Sequence, residues 1–106
     1  MIKNVAILGA GESGFGAAML ASKKGYNVFV SDLNSIDDNI KLLFEDNSIE
    51  YEENDHSINK IKYSDLIIKS PGIPDTSDLI VKIKSLKSPI ISEIEFASNN
   101  SNSFKI

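Results

Sequence analysis

Four apolar residues, Val5-Ala6-Ile7-Leu8, run without a break into Gly9-Ala10-Gly11-Glu12-Ser13-Gly14, and beyond that turn Phe15, Ala18, Met19 and Ala21 recur at helical spacing. Few backbones accept such a junction. A short continuous apolar run that stops at glycine is the pattern of a parallel strand covered on both faces. The G-x-G-x-x-G spacing then asks three things of the chain: Gly9 for a tight turn, Gly11 so that a phosphate can reach bare backbone, and Gly14 for close packing of helix on strand. Amides in the first turn of a helix lack intrahelical partners, and the helix dipole favours negative charge there. The turn is therefore either an anion cradle or simply a tightly packed strand-to-helix connection. Glu12 is a complication, because a carboxylate there repels a diphosphate unless its side chain points to solvent.

The remainder of the chain repeats the same alternation. Gly25 falls where a left-handed helix C-cap belongs. Asn27 to Ser31 is a second β-branched and aromatic run closed by Asp32, and a helix follows with Asp37 and Asp38 in its first turn and Ile40, Leu43 and Phe44 on one face. Ser48 to Glu53 reads as a strand nearer a sheet edge, followed by a short amphipathic stretch through Ile58 and Ile61. Asp65 to Lys69 is another buried strand, and the Pro71-Gly72 pair after it suits a type II turn. The Asp75 to Asp78 cluster caps a helix through about Leu86. Pro89-Ile90-Ile91 is a last short strand, and Ser92 with Glu95 makes a capping box for a helix through Ala97. The expected fold is an α/β, Rossmann-like three-layer domain over residues 1–97, with a mainly parallel sheet of about five strands. Residues 98–106 read as a Ser/Asn linker and the start of a further strand at Phe104.

At 106 residues the chain is one domain by length, and its formal charge of -4 offers no electrostatic reason to expect nucleic acid or an anionic membrane. Absence of cysteine excludes disulfides, thiolate zinc sites and a thiol nucleophile, and fits a reducing compartment. The apolar N-terminus is too short for a signal peptide or a membrane span, so a cytoplasmic location is expected.

Asp32 stands about twenty residues beyond the glycine turn, where an acidic side chain in such folds accepts hydrogen bonds from a nucleotide's ribose or base; it could equally cap the following helix. The Ser70-Pro71-Gly72-Ile73-Pro74 loop ends a parallel strand at the same sheet edge, as the opposite wall of a ligand crevice or as a rigid turn. Lys69 beside it could face a diphosphate or solvent. Glu52, Glu53, Asp55 and His56 are metal-type ligands without a second cluster, and read better as a solvated strand end. Glu93 and Glu95 are accounted for by the capping box and helix dipole. No Ser/His/Asp constellation or Walker sequence is present, so no complete catalytic apparatus is visible.

Together, Val5 to Gly14, the strand end Val30-Ser31-Asp32, the loop Lys69 to Pro74 and the segment Ile90-Ile91-Ser92-Glu93-Ile94-Glu95 resemble the N-terminal domain of the D-glutamate-adding Mur ligases of bacterial peptidoglycan synthesis. The resemblance implies a domain that holds the UDP portion of UDP-N-acetylmuramoyl-L-alanine, with no cofactor of its own. By motif position the backbone of Gly11, Glu12 and Ser13, in the substrate-binding turn from Gly9 to Gly14, meets the diphosphate, Asp32 and Leu33 meet the uracil, and Gly72, in the substrate-binding loop with Ser70 and Pro71, forms the far wall. Leu33 departs from the small hydroxyl residue often found there, which leaves only a backbone contact at that position. The resemblance also implies a central and a C-terminal domain after this one, which supply ATP and Mg²⁺ chemistry; phosphoryl transfer needs a phosphate cradle, a lysine and metal ligands that this segment does not encode. Two other readings fit the glycine turn: an NAD(P)-binding domain of an oxidoreductase, and a nucleotide-sensing regulatory module that dimerises.

Overall fold

A computed structural model describes residues 3–70, 72–73, 76–86 and 88–99. Among these described residues five strands and five helices alternate strictly: β1 (Asn4–Leu8), α1 (Glu12–Lys23), β2 (Asn27–Ser31), α2 (Asp38–Asp46), β3 (Glu50–Glu52), α3 (Ile58–Ile61), β4 (Leu66–Lys69), α4 (Asp78–Lys84), β5 (Ile90–Ser92) and α5 (Glu93–Asn99). The sheet order is β3-β2-β1-β4-β5 and every strand pair is parallel. Chain order reverses between β1 and β4, so the loops after these strands diverge and leave a crevice at the carboxyl edge of the sheet.

The two-residue period of β1 divides the core. Val5 and Ile7 face a layer containing Ala17, Ala18 and Ala21 of α1, Phe44 of α2 and Phe96 of α5, whereas Ala6 and Leu8 face Ile61 of α3 with Ile80 and Ile83 of α4. Covering on both faces is why β1 reads as an unbroken apolar run rather than an alternating one. The alanines of α1 let the helix lie close to the sheet. At its far end Gly25 has φ +89°, with Gly25 N–H donating to Ser22 O at 3.0 Å and Tyr26 N–H to Ala21 O at 3.2 Å, the paired bonds of a Schellman stop.

Several local expectations need correction. Leu43 is 42 % exposed, while Phe44 is fully buried against Phe15 and Tyr51. Helix α2 lies over the short edge strand β3, and so narrow a support covers one stripe of the helix, not two. Asp37, not Asp32, caps α2, accepting from Asn39 N–H at 3.0 Å. Ser77 is the member of the 75–78 cluster that caps α4, through Ile80 N–H at 3.3 Å. Helix α5 continues to Asn99, two residues past its expected end at Ala97. Ile73 N–H donates to Ser70 O at 3.1 Å, closing a turn after β4. Its type depends on Pro71, which lies outside the described residues, as do Pro74, Asp75 and the expected strand at Phe104.

Candidate functional site

The carboxyl ends of β1, β2 and β4 are tied together before any ligand is considered. Gly9 N–H donates to Ser31 O at 2.7 Å and Ser70 N–H to Leu8 O at 3.1 Å, which carries the sheet ladder one residue into each loop. Gly9 has φ +104°, and a Cβ there would stand 2.9 Å from the Ser70 Cβ. Glycine is required on both counts. Gly11 is the N-cap of α1 in extended geometry (φ -71°, ψ -169°) and brings no capping side chain, so the first-turn amides are left for another acceptor.

Asp32 holds this turn from the side. Its Oδ2 accepts from Ala10 N–H and its Oδ1 from Asn34 N–H, both at 2.8 Å. Ala10 is 4 % exposed, so its amide has little recourse to water. Asp32→Ala is expected to destabilise the fold by about 1–2 kcal/mol, the usual cost of orphaning a buried donor, and Asp32→Asn by less because one oxygen remains to accept. Urea unfolding of the two variants checks the order.

Between these loops opens a cavity of about 540 Å³. Its walls are Gly9 and Gly11, then Asp32, Leu33 and Asn34, then Ser70, Gly72 and Ile73, with the start of α4 and His56 completing it. That volume is in the range of small-molecule sites. Six sequence candidates (Gly9, Gly11, Asp32, Leu33, Ser70 and Gly72) are thus brought together, while Pro71 lies outside the described residues. Glu12 is exposed at the helix tip, which meets the condition for an anion beside it. Ser13 faces a second groove of about 370 Å³ between α1 and α5. Gly14 is buried and reaches neither opening; its place is the contact of α1 with Gly9.

Lys69 is not a solvated strand end, since its Nζ donates to Ile73 O at 2.6 Å and braces the turn. Neither is the 52–56 segment. Glu52 Oε2 accepts from Ser31 Oγ at 2.8 Å and from Ser57 N–H at 2.6 Å. Glu53 accepts from Ile36 N–H at 2.9 Å and pairs with Lys41 at 2.7 Å, and the Lys41 ammonium, then the Ile36 amide, hold its carboxyl below the usual carboxylate range. His56 and Asn34 are cavity residues that motif reading missed. The available signal was positional: His56 follows a parallel strand at the sheet edge where all the other candidates gather. Among the described residues no three His, Cys, Asp or Glu side chains converge as a metal site, and no helix is long and apolar enough to cross a membrane.

Glu93 departs from the capping account. Ser92 Oγ does accept from Glu95 N–H at 3.0 Å, but Glu93 is only 5 % exposed and neither carboxylate oxygen has a hydrogen-bond partner among the described residues. Burial pushes its carboxyl up, and the Ser70 side chain opposes the shift without closing a bond of ordinary geometry. A raised folded-state value means that protonation favours the fold: the contribution is complete below the unfolded carboxylate pKa and is lost as pH rises through the folded value. Glu93→Gln is therefore expected to raise the Tm by about 4 °C at pH 8, with little change at pH 4. Thermal scans at the two pH values check the sign.

The geometry is that of a small-molecule-sized crevice at the carboxyl edge of a parallel sheet. Residues 4–79 match the family model described as the MurD N-terminal domain. The chain belongs to the MurD N-terminal domain family. Its similarity to complete proteins is consistent with that. It is 51% identical over 96 residues to the UDP-N-acetylmuramoylalanine--D-glutamate ligase of Bacteroides thetaiotaomicron, covering 91% of this chain and 22% of that protein. It is 49% identical over 98 residues to the ligase of the same name from Christiangramia forsetii, with 92% and 22% covered. The chain thus spans about a fifth of the length of the curated relatives it matches. Among solved structures, a murein peptide ligase from Psychrobacter arcticus superposes with a TM-score of 0.84 at 23% identity, over 95% of this chain and 21% of that one, a likeness of fold.

Proposed function

We propose that this domain anchors the UDP end of UDP-N-acetylmuramoyl-L-alanine for a cytoplasmic ATP-dependent ligase that joins D-glutamate to it in peptidoglycan synthesis. The observation that carries the reading is the uncapped N-terminus of α1 opening, through Gly11, onto the 540 Å³ cavity at the switch point of the sheet. Bare first-turn amides and the helix dipole suit a diphosphate. The cavity beside Asp32 and Leu33 suits the attached nucleoside, with Leu33 offering backbone groups, since its side chain is apolar and 61% exposed. Family membership supports a uridine ligand over a nicotinamide one.

The ATP and Mg²⁺ of such a ligase do not fit this chain. It contains no G-x-x-x-x-G-K-[ST] sequence, and among its described residues no group of three His, Cys, Asp or Glu side chains converges to hold a cation. Activation of the substrate carboxylate and attack by the amine belong in this reading to central and C-terminal domains, and the domain alone is inactive. Titration calorimetry should show UDP and UDP-N-acetylmuramoyl-L-alanine competing for one site with NAD unable to displace either. Tight NAD binding would favour an oxidoreductase instead, and ATP-dependent amide formation by these 106 residues alone would contradict the anchoring role.

A further inference from the structure

The cavity contains one ring that the anchoring scheme leaves without a task. We propose that His56 accepts a hydrogen bond through Nε2 from an N–H or O–H of the ligand's nucleoside, with Ser31 fixing the ring in the tautomer that makes this possible. The proposal rests on the nucleotide reading of the cavity and adds a specificity-determining residue to it.

The argument is a count of protons. Ser31 ends β2 and is wholly buried, and its Oγ stands 2.8 Å from Glu52 Oε2, 3.0 Å from Asp55 O and 2.6 Å from His56 Nδ1. A hydroxyl has one hydrogen to give, whereas a carboxylate and a carbonyl only accept. The Ser31 proton is therefore taken by the Glu52 side, and Glu52 Oε2 is itself held there by Ser57 N–H at 2.6 Å. The short contact to His56 must then draw its proton from the ring, so Nδ1–H donates to Ser31 Oγ.

A neutral imidazole protonated at Nδ1 presents a lone pair at Nε2. Burial holds the ring's pKa below the ordinary histidine value, against the opposing charges of Asp32, Glu52 and Asp55, so the neutral form prevails at neutral pH. Nε2 has no partner among the described residues, and His56 lines the cavity beside Asp32, Leu33 and Asn34. Both Asp32 oxygens already take backbone amides. A nucleoside brings donors of its own, a base imide and ribose hydroxyls, and His56 Nε2 faces them as an acceptor that no described residue engages.

The test uses the full-length polypeptide and three probes: UDP, N3-methyl-UDP, which lacks the imide donor, and 2′-deoxy-UDP, which lacks one ribose donor. Wild type should bind UDP about tenfold more tightly than one of the two analogues, and that analogue identifies the donor. His56→Asn keeps a polar group at the Nδ1 position but nothing at Nε2, and should weaken UDP about tenfold while erasing the analogue preference. His56→Gln reaches the Nε2 position with an acceptor oxygen and should stay within about threefold of wild type. Equal loss in both variants, equal retention in both, or indifference of wild type to both analogues overturns the role of His56. Failure of wild type to bind UDP at all overturns the nucleotide reading itself, and this inference with it.

Discussion

Gly14→Ala should lower the Tm by more than about 10 °C, although alanine is the better helix former by about 1 kcal/mol. An added Cβ would stand 1.9 Å from Gly9 O and 2.8 Å from Gly9 C, inside the backbone of the turn. Neither side can retreat freely. Gly14 sits in the first turn of α1, which is pressed on the sheet through Ala17, Ala18 and Ala21. Gly9 is held by its N–H bond to Ser31 O, and the Ser70 side chain lies close beside it. Overpacking a core with flexible side chains around it costs about 1–3 kcal/mol, and here the obstacle is main chain, so the loss should exceed the helix-propensity gain several times over. Gly16→Ala is the control: it adds the same methyl to the same helix where nothing lies within 4 Å. It should be neutral or stabilising by up to about 1 kcal/mol. A Gly14→Ala variant melting within a few degrees of wild type would contradict the packing account.

The complementary result is expected at Gly11. A Cβ there meets nothing within 4 Å, and the extended φ and ψ suit any residue. Gly11→Val should therefore fold, with a stability loss under about 1 kcal/mol from a poorer N-cap. Its branched side chain would nevertheless cover the first-turn amides, and UDP affinity should fall about 100-fold, equivalent to roughly 2.7 kcal/mol. Two glycines of one motif thus separate by measurement, one acting on folding and the other on ligand. Unchanged UDP binding by a folded Gly11→Val protein would remove the amides from the anchoring scheme.

Protonation offers a view of opposing terms in the same fold. Asp65 accepts from Lys3 N–H and Asn4 N–H at 2.9 Å each, and the Asn4 and then the Lys3 bond hold its carboxyl below the usual range, as the Lys41 pairing does for Glu53. Those contributions are complete above the ordinary carboxylate pKa and vanish as pH falls through the depressed values, opposite in sign to Glu93.

Legibility in the sequence followed the strength of local signals. The β1–turn–α1 unit, β2, β4 and the Gly25 stop are written in residues whose backbone requirements are narrow, and the structure has them where the pattern placed them. The edge was harder. Strand β3 has three residues, one exposed and two half-buried, so its hydrophobic pattern is faint, and the residues after it resembled a solvated end. For the same reason Leu43 looked like core: helix periodicity shows that a face exists, not how wide a support lies beneath it.

The sequence by itself determined the alternation of strand and helix, hence a parallel sheet, and the glycine turn that brings amides to its carboxyl edge, because these depend on local conformation and on periods of two and 3.6 residues. Only the tertiary structure decided which side chains share a cavity. It brought His56 beside Asp32 across 24 residues of chain, made Asp32, which the sequence offered as a nucleotide acceptor or a helix cap, a brace for Ala10, and buried Glu93 without a hydrogen-bond partner among the described residues. Those outcomes follow from strand order and register, which are set by the packing of the whole molecule and leave no periodic mark on the residues concerned.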